Sequence, residues 1–211
     1  MTLAALALAA FGTFSLEPTD DVWVYPHASD PSKDVYLRIW GNSARSTATN
    51  PADADEYSYS YLKFSTAGLP KDKELKEATL VVFHVAEPGY EQATAAGRPI
   101  EVRSLAGDFV ERGWEYGMAA KVAPGGTSED LFGSGAPAAE GFPPKEDFAI
   151  RIPLKGSFPA YLGKALSTGS LGLALASKID PQEGGMRAIY RLWSRNADAK
   201  LRPKLELVFA D

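Results

Sequence analysis

The sequence predicts an all-β fold, an antiparallel β-sandwich of jelly-roll type with about nine strands and one short helix. Three observations predict it. Apolar and polar residues alternate with period two in one short run after another. Gly, Pro, Asn, Asp or Ser bounds each run. Segments with helical periodicity are scarce. Regular punctuation of this kind favours two packed sheets over an alternating α/β fold.

The elements follow in order. Asp21 to Tyr25 is a short strand stopped by Pro26. Val35 to Trp40 alternates, with Val35, Leu37 and Ile39 on one face and Tyr36, Arg38 and Trp40 on the other. In Tyr57 to Thr66, Leu62 and Phe64 face the core, so Tyr57, Tyr59, Tyr61 and Lys63 share the opposite face. Glu77 to Glu87 is apolar on both faces and reads as a central strand. Ile100 to Leu105, Phe148 to Leu154, Ser170 to Ser177, Ala188 to Ser194 and Lys204 to Phe209 complete the set. With Tyr190 and Leu192 inward, Arg191 and Trp193 point outward. Ser157 to Leu166 is the helix: Ser157 caps it, Pro159 suits its first turn, and Tyr161, Leu162, Ala165 and Leu166 form its stripe. Glu115 to Val122 is a weaker helical segment. Two long connections are expected, Ser43 to Glu56 and Ala123 to Asp147. The second, rich in Gly, Pro, Ala and Glu, reads as mobile, with Phe132 and Phe142 as its anchors.

The 211 residues suit a single domain with a sizeable core. Leu3 to Phe11 is an apolar run, too short to span a bilayer, and a polar Glu17-Pro18-Thr19-Asp20 stretch follows. Residues 1–18 therefore read as a signal peptide or apolar leader and 19–211 as the domain, which places the mature chain outside the cell or in the envelope. The basic start of a signal peptide is missing, and a first β-strand or a loose apolar arm is the competing reading of the run. No other segment could cross a membrane. The absence of cysteine removes disulfides, thiol catalysis and thiolate metal sites. A net charge of −5 argues against a nucleic-acid partner.

Catalytic chemistry is thin, and the expectation is a protein that is not an enzyme. The chain has two histidines, His27 in a turn and His84 within an apolar strand, and neither stands at metal-ligand spacing from another ligand. No nucleophile elbow or phosphate-binding loop is present. No cofactor is required by these residues. Structural Ca²⁺ is the one metal considered, with Asp20, Asp21 and Asp30 as ligands, since hard oxygen donors near the first strand suit it. The richer constellation is aromatic and basic. Tyr36, Arg38, Trp40, Tyr57, Tyr59, Tyr61, Lys63, Arg191 and Trp193 are the candidate ligand-binding residues. Aromatic rings stack on sugar rings, and Arg or Lys pairs with a sugar carboxylate. The competing reading is packing, because aromatics also favour strands for that reason alone.

Several segments then carry a resemblance. They are Asp21 to Tyr25, the run Tyr61-Leu62-Lys63-Phe64-Ser65-Thr66-Ala67-Gly68-Leu69-Pro70, and Glu77-Ala78-Thr79-Leu80. Leu171 to Leu175, Ser194-Arg195-Asn196-Ala197 and Arg202-Pro203-Lys204-Leu205 follow in the same order. Together they resemble DNRLRE domains and the similar family 96 carbohydrate-binding modules, over roughly Asp20 to Phe209. Asn196 stands where that family usually has Glu. The resemblance implies a secreted bacterial or archaeal surface module. The expected function is non-catalytic binding of carbohydrate, such as an acidic polysaccharide, through an aromatic and basic sheet face. The alternative is a structural or assembly protein of the envelope or matrix that self-associates through that face. A stand-alone enzyme on polysaccharide is the least supported reading. Arg195 and Arg202 read as ties between strand ends.

Overall fold

The computed structural model describes residues 12–24, 30–41, 57–181 and 188–210, with the side chains of Pro31 and Ala120 left aside. In chain order the strands are β1 (Gly12–Leu16), β2 (Asp20–Trp23), β3 (Tyr36–Ile39), β4 (Ser60–Ser65), β5 (Leu75–His84) and β6 (Ile100–Ala106). They continue as β7 (Ala123–Pro124), β8 (Leu131–Gly135), β9 (Phe148–Pro153), β10 (Ser170–Ala176), β11 (Tyr190–Trp193) and β12 (Lys204–Phe209). Helix α1 (Gln92–Gly97) precedes β6, and α2 (Phe158–Thr168) lies between β9 and β10. Among the described residues no helix is long and apolar enough to cross a membrane.

The strands form two antiparallel sheets of six. The first runs β1-β12-β5-β11-β3, with β9 also paired to β5. The second runs β2-β4-β10-β6-β7, with β8 also paired to β6. The main core fills the space between them. Leu37, Ile39, Leu80, Val82, Ile150, Leu192, Leu205 and Leu207 come from the first sheet, and Leu62, Phe64, Val102, Leu171 and Leu173 from the second. Alternation supplies these residues, so each strand presents one buried face. The apolar length of β5 is explained by its neighbours: β9 pairs with one edge, and β12 and then β11 with the other. Helix α2 buries Phe158, Leu162 and Ala165 and ends at Gly169, whose φ of 82° is the left-handed stop that glycine permits.

Trp40 and Ser58 exchange backbone hydrogen bonds of 3.2 and 3.0 Å, which joins the end of β3 to the second sheet and curls one corner of the sandwich.

All nine expected strands are present, with ends within three residues of their read positions. Three further strands were not foreseen. Gly12–Leu16 lies in the stretch read as leader, yet it pairs in register with β12, and Phe14 meets Phe209 at 5.7 Å. Ala123–Pro124 and Leu131–Gly135 fall in the connection read as mobile. They pair with the edge of β6, and Phe132 is buried against Phe158 and Tyr161. Glycines obscured β8, since Gly133 and Gly135 lack side-chain signal. They are small because β9 crosses there: a Cβ on Gly133 would strike the Pro153 carbonyl.

A second apolar cluster lies on the far side of the second sheet. Val22, Val24, Tyr57, Tyr59, Tyr61, Ala174 and Ala176 of the sheet pack under Phe109, Trp114, Ala119 and Val122. The covering segment holds a short 3₁₀ helix, Tyr116–Lys121, where the sequence suggested a weak helix. It leaves β6 through Gly107, whose φ is 92° and whose α-carbon faces the Lys121 carbonyl oxygen without room for a Cβ. Gly107→Ala is therefore expected to destabilise the fold by about 2–4 kcal/mol through strain and displacement of the cover. Urea unfolding of the two proteins measures it, and an unchanged midpoint would show that the cover is not held at this turn.

Candidate functional site

The alternation expected for β4 is present, but its outer face is closed. Tyr59 and Tyr61 are fully buried and Tyr57 is nearly so. Tyr61 packs on Phe109 at 5.9 Å and on Trp114 at 6.3 Å, and its hydroxyl donates to the Val122 carbonyl at 3.2 Å. Lys63 is half-buried. Its ammonium group donates to the Phe109 carbonyl at 3.0 Å and pairs with Asp108 at 2.8 Å, so it holds the cover down. These four residues are thus corrected from candidate ligand contacts to a covered layer. Period-two patterning gives the face a side chain is on, and says nothing about a segment arriving from elsewhere in the chain.

Trp40 is a second correction. It was placed opposite the core, but it is buried in the main cluster beside Trp23, with ring centres 6.5 Å apart. It stands at the Ser58 bridge, one residue past β3, where the strand's alternation no longer applies.

The remaining candidates come together. Tyr36 lies directly opposite Trp193 across the β3–β11 pair, and Arg38 directly opposite Arg191. The two aromatic rings are 4.6 Å apart. Arg191 stands over Tyr36 at 5.4 Å, and Arg38 over Trp23 at 4.3 Å. Leu192 pairs with His84, so continuing the antiparallel register one residue puts Phe83 of β5 beside Trp193. Sequence reading missed Phe83, although its odd position in an alternating strand was the signal. Tyr36, Trp193 and Phe83 are each half-buried, which leaves an aromatic row across three strands of the first sheet's outer face. Arg38 is held by Asp34 at 3.1 Å. Arg191 is exposed and, among the described residues, meets no carboxylate. The two arginines share a register position, but their guanidinium groups reach to different rings, and that of Arg38 is already paired with Asp34 while that of Arg191 is not paired with a carboxylate among the described residues. The Trp193 indole N–H is buried with no acceptor among the described residues.

His84 sits behind this face as a structural group. Its Nδ1–H donates to the Val85 carbonyl at 2.6 Å, and its Nε2 accepts from the Arg191 amide at 3.1 Å. That fixes one neutral tautomer. Burial first, with the Arg191 charge adding to it, pushes its pKa down to about 4. His27 lies outside the described residues.

The three aspartates considered for calcium do not converge. Asp20 accepts from the Glu111 amide at 3.1 Å and from Thr19 at 3.0 Å. Asp30 pairs with Lys33 at 2.6 Å and with Ser32, which hold its carboxyl below the ordinary value. Asp21 is buried and accepts from the Arg195 amide at 2.6 Å. Among the described residues no three His, Asp or Glu side chains are grouped to hold a metal ion.

Asp21 instead belongs to a buried clasp. Glu111, on the covering segment, accepts from the Asp21 amide at 3.2 Å, the Arg195 guanidinium at 2.8 Å and the Asn196 amide group at 3.2 Å. Arg195 also donates to the Pro18 carbonyl. Arg202 makes a lesser tie to Ala197 and Glu17. Both arginines join strand ends, as their sequence positions suggested. Burial, with the Glu111 and Asp20 charges behind it, pushes the Asp21 pKa up to about 7, against the opposing pull of the Arg195 amide and guanidinium.

No family model matches the chain, and no curated protein matches it.

The two buried groups give opposite pH dependences. Native Asp21 keeps its proton up to about pH 7, whereas the unfolded chain releases it near 3.8. Its contribution therefore falls as pH rises through that window, by roughly 4 kcal/mol in all. Native His84 stays neutral down to about pH 4, whereas the unfolded chain protonates near 6.5. Its contribution is complete above that value and is lost as pH falls, by roughly 3 kcal/mol. Asp21→Asn removes only the first. Its stability relative to the natural chain should rise steadily from pH 4 to pH 7.5 in urea titrations. A difference independent of pH would show that Asp21 is ionised in the fold.

Proposed function

We propose that this chain is a non-catalytic carbohydrate-binding module that takes an acidic polysaccharide along the outer face of the first sheet. One observation carries the reading: a half-buried cross-strand row of Tyr36, Trp193 and Phe83 borders Arg38 and Arg191, which share a register position. A flat sheet face with in-line aromatics suits an extended sugar chain, each ring stacking on a pyranose. The arginines would pair with the carboxylates or sulfates that such a chain repeats. Expected surroundings are the cell surface or the extracellular space, in keeping with the family resemblance. His84 does not supply acid–base chemistry in this reading, since both its ring nitrogens are engaged by backbone groups.

Affinity electrophoresis through gels containing acidic or neutral polysaccharides tests the reading. The chain should be retarded by an acidic polysaccharide, and the retardation should weaken with salt. Trp193→Ala should reduce affinity about tenfold or more, in line with the loss of a stacking anchor. Arg191→Gln should reduce it several-fold and flatten the salt dependence. Tyr59→Phe should leave it unchanged. A folded chain that no polysaccharide retards contradicts the proposal. Concentration-dependent light scattering from that chain would then favour the assembly role.

A further inference from the structure

The end of the sandwich beside Arg191 holds two adjoining depressions of about 380 and 340 Å³ that share Pro88 and Gly89. Three independent features meet there. First, the wall is rigid. Successive backbone amides of Val85, Ala86 and Glu87 donate to Arg191, Asp147 and Pro144. Second, Glu87 is held at φ 49°, the one non-glycine residue with positive φ among those described. A side chain kept in that region is over-determined by its surroundings, and such positions gather at binding sites. Third, Tyr90 lines the second depression and is nine-tenths buried, yet its hydroxyl has no hydrogen-bond partner among the described residues. A buried donor left unmet costs about 1–3 kcal/mol.

The lining is mixed in a particular way. Pro88, Phe142, Pro143 and Ile189 offer apolar surface, while Arg191, Glu87, Glu91 and Thr94 offer donors and acceptors at the rim. A sugar ring has the same division, with C–H faces and an equator of hydroxyls. A carboxylate accepts from two neighbouring hydroxyls at once, and an arginine donates to two. Arg191 borders both this cleft and the aromatic row. We infer that the cleft is a separate saccharide subsite that takes one hexose or hexuronate unit, a chain end or branch of the polymer lying on the row. The inference rests on the carbohydrate-binding reading of the sheet face and deepens it.

Glucose and glucuronate are the probes, titrated separately to tens of millimolar into ¹⁵N-labelled full chain, a range suited to millimolar affinities. Saturable shifts are expected at the amides of Gly89, Glu91 and Thr94 with at least one of the sugars. Binding of glucuronate alone would assign the hexuronate unit, with Arg191 as its partner. Thr94→Trp, which fills the second depression, should abolish the shifts. Trp193→Ala should preserve them. Tyr90→Phe, which removes a buried hydroxyl that has no partner to lose, should fold with equal or greater stability and bind several-fold more weakly. No saturable shift with either sugar, or shifts that survive Thr94→Trp, overturns the subsite. A silent cleft together with intact polymer retardation rejects this inference alone. A responsive cleft together with no retardation rejects the reading of the sheet face instead.

Discussion

A buried glutamate organises how this sandwich divides its two outer faces. The second sheet carries large side chains on both sides of β4, with Leu62 and Phe64 toward the first sheet and Tyr59 and Tyr61 away from it. Such a strand is stable only if a third layer arrives. That layer is the stretch from Phe109 to Val122, and Glu111 fastens it to the Asp21 amide, the Arg195 guanidinium and the Asn196 side chain. A carboxylate taken out of water survives only when its lone pairs are met in this way. The clasp draws on three parts of the sequence far apart from each other, so it couples the start of β2, the cover and the β11–β12 connection into one unit. The raised pKa of Asp21 comes first from its burial, with the neighbouring Glu111 carboxylate adding to it.

With that face closed, the proposed contacts fall on the other sheet. Tyr57, Tyr59 and Tyr61 pack in the covered layer, while Tyr36, Trp193 and Phe83 are only half-buried on β3, β11 and β5. The row depends on the interior beneath it. His84 accepts the Arg191 amide and, in its neutral form, fixes the register that sets Trp193 beside Phe83. Arg191 in turn stands between the row and the cleft formed by Pro88, Gly89 and Tyr90. One exposed arginine thus belongs to both proposed contacts with a sugar chain.

Strand identity was legible in the sequence because alternation is a local property. The nine expected strands, the α2 helix and the inward direction of Leu62, Phe64, Tyr190 and Leu192 all follow from neighbours one or two residues apart. What escaped is long-range. The cover over Tyr59 and Tyr61 comes from nearly fifty residues later, and no pattern inside β4 announces it. Trp40 lost its expected side because the chain turns a corner at Ser58. Strands β7 and β8 hid in a segment of weak β-propensity, where Gly133 and Gly135 serve close approach to β9 and not packing of their own. Gly12–Leu16 was masked by its resemblance to the tail of a leader. Short α1 escaped because alanines and one threonine carry little periodic signal. Of the candidate binding residues, Tyr36, Arg38, Arg191 and Trp193 stand together because they occupy paired positions on adjacent strands. Pairing itself could not be read from the sequence.

The four tryptophans report on both outer faces at once. Trp23, Trp40 and Trp114 are buried, Trp114 within the covered layer, and Trp193 is the half-exposed member on the open sheet. Their indole N–H resonances can be followed in one ¹H–¹⁵N spectrum while an acidic polysaccharide is added. The account predicts that the Trp193 resonance moves and saturates while that of Trp114 stays fixed. Movement of Trp114 with Trp193 unaffected would mean that the face under the cover is the one that binds, and would contradict the account.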